Sequence, residues 1–244
     1  MKPVKPQNEE LEELVAQLQQ ANGELERFAY VASHDLKAPL RAISNLAGWI
    51  KEDIEAETIN KETHSHLRMM LSRVARMEKL LDDLLIYARV GKKSGTLETL
   101  DIMELVTSIA EMLPIGKFEV ATESEISNLV AERFPLEQVL MNLISNSIKH
   151  HNKKKGIITV TVRDRTDFME FIVSDDGPGI PKEQQKEAFE MFRTLKPRDE
   201  VEGSGMGLAL VKKIVETQGG DVDILPTEKG LSVMFLWPKV ETCE

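Results

Sequence analysis

The sequence has a single cysteine, Cys243, close to its C-terminus. One thiol excludes an internal disulfide. No apolar run approaches the roughly 18 residues that span a bilayer, and the first residues lack the apolar core of a signal peptide. The chain is therefore expected to be cytoplasmic, and any sensor or membrane anchor of a parent protein is expected to lie outside this sequence. Positive charge is in deficit: Lys and Arg number 31 against 41 Asp and Glu, for a net charge of −10. That sign argues against nucleic acid as a partner. Internal repeats are absent too. The 244 residues allow one or two domains, and a composition shift around Gly91-Lys92-Lys93-Ser94-Gly95 marks the expected boundary.

What the chain does have is a heptad seam. Leu11, Leu14, Leu18, Ala21, Leu25, Phe28 and Ala32 recur by three and four, the a/d pattern of a coiled coil. Residues 1–23 read as an incoming coiled-coil helix. Two residues past Ala32, His34 falls about 200° around the helix from the seam, facing solvent with Asp35 beside it. An ordinary imidazole titrates near pH 6.5, so a ring lone pair is available near neutrality, and His34 is a candidate nucleophile. A lone exposed histidine is usually just surface; the second half of the chain decides otherwise. A second helix should start near Lys61, after a first that ends near Glu55. It carries Leu67, Met70, Val74, Met77, Leu81, Leu84 and Ala88, with Leu71, Leu80 and Leu85 widening the stripe. One partner helix cannot cover such a face, so the hairpin at 24–92 is expected to form a dimeric four-helix bundle. Pro39 leaves the Asp35 carbonyl without its helical partner and softens the helix beside His34.

Four segments downstream point to a nucleotide. In Asn142-Leu143-Ile144-Ser145-Asn146-Ser147-Ile148-Lys149, helical spacing puts Asn142, Asn146 and Lys149 on one face, opposite the apolar one that includes Phe134, Leu136 and Val139. Amide oxygens suit a hard cation such as Mg²⁺, and the lysine suits phosphate. Asp175-Asp176-Gly177-Pro178-Gly179-Ile180 follows a strand-like run from Phe168 to Val173. A carboxylate there can accept a hydrogen bond from an exocyclic amine, which adenine has on the edge where guanine has a carbonyl, so ATP is favoured over GTP. Phe189 to Arg193 precedes a polar stretch from Thr194 to Glu202. Gly203-Ser204-Gly205-Met206-Gly207-Leu208 opens a helix, exposing N–H groups at the positive end of its dipole. Each segment alone is an ordinary turn or solvated face. The remaining pattern, a helix at about 102–113 and strands at 118–121, 128–131, 157–162, 168–173, 221–225 and 231–237, predicts a two-layer α/β sandwich over 97–240.

The segments around His34, Asn146, Asp175, Phe189 and Gly205 resemble the H, N, G1, F and G2 boxes of sensor histidine kinases of two-component systems, over roughly residues 24–237. The wording around His34 is most similar to kinases that follow PAS, GAF or phytochrome-type sensor regions. The resemblance implies a Bergerat-type ATP-binding fold, autophosphorylation of His34, and phosphotransfer to an aspartate of a response regulator receiver domain. It implies that Asp35 acts as the base, that Asn146 and Asn142 hold Mg²⁺, and that Asp175 reads adenine. Lys149 and the amides from Gly203 to Gly207 would face the phosphates. Gly177, Gly179, Ile180, Phe192, Arg193, Gly205, Met206 and Leu208 would complete the nucleotide site, with Arg193, Lys196 and Arg198 as candidates for the γ-phosphate. His150 and His151 read as solvated. Two other readings remain open at this point, an ATP-gated clamp and a signalling scaffold with a vestigial pocket. One departure from the family pattern stands out: many relatives have Thr or Asn four residues after the phospho-accepting His, where this chain has Ala38. A methyl group cannot orient water, so weak phosphatase activity toward the regulator is expected.

Overall fold

A computed structural model describes residues 15, 36, 39–55, 61–91, 95–193 and 205–240. The seam from Leu11 to Ala32, His34, Asp35, Ala38, Lys196, Arg198 and Gly203 lie outside the described residues. Contacts divide the chain into two compact units, and the break falls inside one helix, between Glu78 and Lys79.

The first unit is a helical hairpin. Residues 39–55 belong to helix α1, and α2 spans Lys61–Arg89, where the three-and-four spacing puts a helix starting near Lys61. A polar contact ties the two: the buried Thr63 donates from Oγ1 to Asp53 Oδ2 at 2.6 Å. The Trp49 and His66 rings lie 5.1 Å apart. The apolar stripe is left uncovered, with Leu40, Trp49, Leu67, Leu71 and Val74 between 38% and 63% exposed. Leu81 and Leu85 continue it along α2 beyond the break. Ile86, Tyr87 and Val90, by contrast, pack against the core of the second unit, which is why the break precedes the end of the helix.

The second unit is the α/β sandwich expected from the sequence. Its elements are β1 (Leu97–Asp101), α3 (Ile102–Met112), β2 (Lys117–Ser124), β3 (Asn128–Glu132), α4 (Arg133–His150), β4 (Lys155–Asp164), β5 (Phe168–Asp175), the short α5 (Lys182–Gln185), α6 (Gly207–Thr217), β6 (Val222–Leu225) and β7 (Ser232–Pro238). Five strands form one sheet in the order β2-β4-β5-β7-β6. The β2–β4 pair is parallel and the others are antiparallel. β1 and β3 form a separate antiparallel pair.

Strand parity builds the core. Ile158, Val160 and Val162 of β4, Met169, Phe171 and Val173 of β5, and Val233, Phe235 and Trp237 of β7 are all nearly inaccessible. Register sets Val160 opposite Val173 and Phe171 opposite Phe235, so these residues share one face. The Phe171 and Phe235 rings stack at 4.8 Å. Helices α3, α4 and α6 cover this face with Leu105 and Ile109, Leu136 to Ile144, and Leu210 to Val215. Each such side chain contributes roughly 1.5–3 kcal/mol on burial. The same step of two carries Asp175, at the end of β5, to the helix-covered side of the sheet.

Local signals set the helix starts. Asp101 caps α3 by accepting from Glu104 N at 3.0 Å, a contact worth about 1 kcal/mol. Pro135 sits in the first turn of α4, where a missing N–H costs nothing.

Two expectations change. The sequence pattern puts Phe134 on the apolar face of α4, but it is 61% exposed. The buried stripe starts at Leu136, and a residue two positions earlier projects about 200° away. The strand β1 is absent from the sequence reading because only Leu100 of its five residues is buried. Its hydrogen bonds come from β3, some thirty residues away. No helix among the described residues is long and apolar enough to cross a membrane.

Candidate functional site

A cavity of about 580 Å³ opens in the second unit, between α4, the end of β5 and the start of α6. That volume lies within the usual range for small-molecule sites, about 300–1,000 Å³. Asn142, Asn146 and Lys149 line it from α4, Asp175, Gly179 and Ile180 from the loop after β5, and Gly205, Gly207 and Leu208 from the start of α6. Three separated segments of sequence thus meet at one place.

Asp175 is fixed from both sides. Its backbone N–H donates to Leu231 O at 2.9 Å. Its Oδ1 accepts from Gly177 N at 2.9 Å and from Leu231 N at 3.3 Å. Oδ2 has no hydrogen-bond partner among the described residues, which leaves an acceptor at the cavity wall. The approach of the chain at Leu231 requires glycine: at Gly230, φ is +79° and a Cβ would lie 1.7 Å from Asp175 O. Gly179, at φ +70°, would put a Cβ 2.4 Å from Gly230 O. The two turns therefore fit only without side chains.

The two amides meet the other helix. A Cβ on Gly207 would lie 3.1 Å from Asn146 Nδ2 and 3.4 Å from Asn142 Oδ1. Helix α6 has no side-chain cap at Met206, and its first N–H groups have no intrahelical acceptor. Asn142 donates from Nδ2 to Gln138 O at 2.8 Å, which fixes its amide. The asparagines are half-buried rather than opposite the core, because α6 comes down beside them. Amide oxygens and free N–H groups across a narrow gap are a donor set that fits a cation held with phosphate oxygens.

Of the other expected site residues, Gly177, Met206 and Phe192 do not line the cavity. Gly177 serves Asp175 rather than the cavity. Met206 is fully buried as the residue before α6. Phe192 is buried against Gly205, where a Cβ would meet the Phe192 carbonyl carbon at 2.8 Å, and it adopts φ 64°, a region non-glycine residues avoid. Arg193 lines the cavity and is paired with Glu187. His150 is exposed as expected, whereas the His151 side chain is fully buried rather than solvated; both line the cavity. The sequence reading also missed Leu231, Val173 and Met141 on the cavity wall. Val173 follows from the alternation of β5 ending at Asp175. Leu231 had no local signal, since it arrives through strand pairing.

Asp176, next to the cavity residue, has its carboxyl held below the ordinary value of 3.8, chiefly by the Ile157 N–H and then by His151. Between the lowered folded value and 3.8, the unfolded chain binds a proton that the folded chain does not. Stability is thus present above 3.8 and lost as pH falls through that window. Asp176→Asn should flatten the acid limb of a stability-versus-pH curve measured by urea unfolding. An acid limb as steep as that of the unmodified chain would contradict this.

Residues 24–93 match the His Kinase A (phospho-acceptor) domain. Residues 131–241 match the histidine kinase-, DNA gyrase B- and HSP90-like ATPase. Phytochrome-like protein Cph1 of Synechocystis sp. is 34% identical over 219 residues, 88% of this chain and 29% of that protein. Cyanobacterial phytochrome B of Nostoc sp. is 36% identical over 220 residues, with the same coverage of 88% and 29%. The chain thus spans under a third of the length of these curated relatives. The solved structure of histidine kinase ThkA in complex with response regulator protein TrrA superposes with a TM-score of 0.70 at 21% identity, over 98% of this chain and 68% of that one. It shares the fold. With a phospho-acceptor domain and an ATPase domain matched in that order, the chain belongs to the sensor histidine kinases.

Proposed function

We propose that this chain is the catalytic region of an ATP-dependent protein-histidine kinase that phosphorylates its own His34 and passes the phosphoryl group to an aspartate of a response regulator receiver domain. The observation that carries the reading is the meeting of the two α4 amides with the uncapped start of α6, in the same cavity as the Asp175 carboxylate. In this reading residues 1–23 are the incoming helix, 24–92 the dimerising hairpin and 97–240 the ATP-binding domain, working in the cytoplasm. The uncovered stripe on α2 supports a homodimer. The regulator bound to ThkA in its solved complex supports a receiver domain as the acceptor.

Each residue has a task. Asp175 accepts from the adenine amine, which selects ATP over GTP. Asn146 and Asn142 are the residues that would hold Mg²⁺, which when bound neutralises phosphate charge. Lys149 and the amides at Gly205 to Leu208 face the charge that spreads over the transferred group. A ring nitrogen of His34 forms the new N–P bond as the bond to the leaving ADP oxygen breaks. Asp35 accepts from the other ring N–H and stabilises the imidazolium until its proton is released.

Incubation with γ-labelled ATP should put acid-labile label on the unmodified chain and none on His34→Gln. Asn146→Ala should lose the label while light scattering still reports a dimer. Label on His34→Gln would reject the assignment. Ala38→Thr should raise release of phosphate from a purified phospho-regulator while autophosphorylation stays within about twofold, well under the 1.4 kcal/mol that a tenfold change requires. Brisk release by the unmodified chain would contradict the role given to Ala38.

A further inference from the structure

His151 is a buried imidazole with two defined partners and no part in the chemistry above. It follows directly on α4, whose last residue is His150. Its Nδ1 lies 3.0 Å from the Lys153 backbone nitrogen, which donates to it. A backbone N–H can only donate, so Nδ1 carries a lone pair and the ring proton resides on Nε2. Nε2 lies 3.1 Å from Asp176 Oδ1 and donates there. The same Oδ1 accepts from Ile157 N at 2.8 Å. The ring is held edge-on to Phe118, 5.2 Å between centroids. Gly156 makes the room: a Cβ there would come within 2.7 Å of both Asp176 Oδ1 and His151 Nε2. Gly177 also approaches the ring, its Cβ position being 3.1 Å from His151 Cδ2.

The consequence is mechanical. Asp176 is the neighbour of Asp175, while His151 directly follows the helix that carries Asn142, Asn146 and Lys149. The Nε2–Asp176 bond is a direct side-chain tie between the helix facing the phosphates and the loop facing the base. We propose that His151, as a neutral imidazole protonated on Nε2, is a positioning residue for ATP binding that fixes the spacing between these two halves of the pocket. The proposal rests on the reading of the cavity as the ATP site.

The two bonds can be separated. Glutamine places its Nε2 donor as far along the side chain as histidine places Nε2, and asparagine places its Oδ1 acceptor where histidine has Nδ1. His151→Gln therefore keeps the tie to Asp176, His151→Asn keeps only the bond to Lys153, and His151→Phe keeps neither. Titrating the full chain with ATP by calorimetry, we expect His151→Gln to bind within a few-fold of the unmodified chain. His151→Asn and His151→Phe should bind about tenfold more weakly, the size of a lost hydrogen bond to a charged group. The autophosphorylation rate at saturating ATP should be little changed, so KM moves and kcat does not. A side chain that merely fills space would not separate Gln from Asn. Equal affinities for those two variants, or unmodified affinity in His151→Phe, would overturn the proposal. Should the variants not fold, the ¹⁵N correlation pattern of the imidazoles in the unmodified chain still decides. An Nε2–H tautomer for His151 is expected, and an Nδ1–H tautomer overturns it. Asp175→Asn separates the two levels: unchanged ATP affinity there would remove the ATP site itself, whereas weakened binding there with unaffected His151 variants would remove only the positioning role.

Discussion

The exchange between Asp175 and Leu231 is the contact on which the rest of the site depends. Asp175 donates its N–H to Leu231 O and receives the Leu231 N–H on its carboxylate. One carboxylate oxygen is thereby spent on the fold, and the other is left at the cavity wall. The arrangement requires Gly230, because any side chain there would collide with the Asp175 carbonyl. A half-buried carboxylate without such donors would be desolvated without compensation and free to turn. With them, it becomes a fixed acceptor.

The second constraint is the placement of α4 over the sheet. Its stripe from Leu136 to Ile144 is fully buried, which fixes the rotation of the helix. Asn142 and Asn146 are then carried to the side where α6 begins, and Gly207 lets the two approach. Core packing and site geometry are therefore a single problem: a rotation of α4 that moved the amides would also expose Leu140 and Leu143. The exposed stripe on α2 is a different case, since nothing among the described residues covers it, and that is the physical basis for expecting a second copy.

Much of this was legible in the sequence because it is written in local periodicity. The apolar stripe of α2 follows from three-and-four spacing, and Asp175 follows from its place between a strand-like run and a glycine-containing turn. Asn142, Asn146 and Lys149 share a face simply because the helix has 3.6 residues per turn. What was not legible depends on partners distant in sequence. β1 carries no alternation and exists by pairing with β3. Leu231 reaches the cavity by strand pairing. His151 looked solvated at the polar end of a helix, yet Asp176, twenty-five residues later, and the absent side chain of Gly156 make its burial possible. Phe192 carried the look of a pocket aromatic, but the path of Gly205 turns it into support.

The central claim is that one cavity reads a base with Asp175 and faces phosphates with α4 and α6. A crystal structure of the chain with Mg²⁺ and a non-hydrolysable ATP analogue tests it most directly. The account predicts the adenine amine hydrogen-bonded to the Asp175 carboxylate, with the phosphates between the Asn146 amide and the first N–H groups of α6. A base seated away from Asp175, or phosphates on the far side of α4, would contradict it.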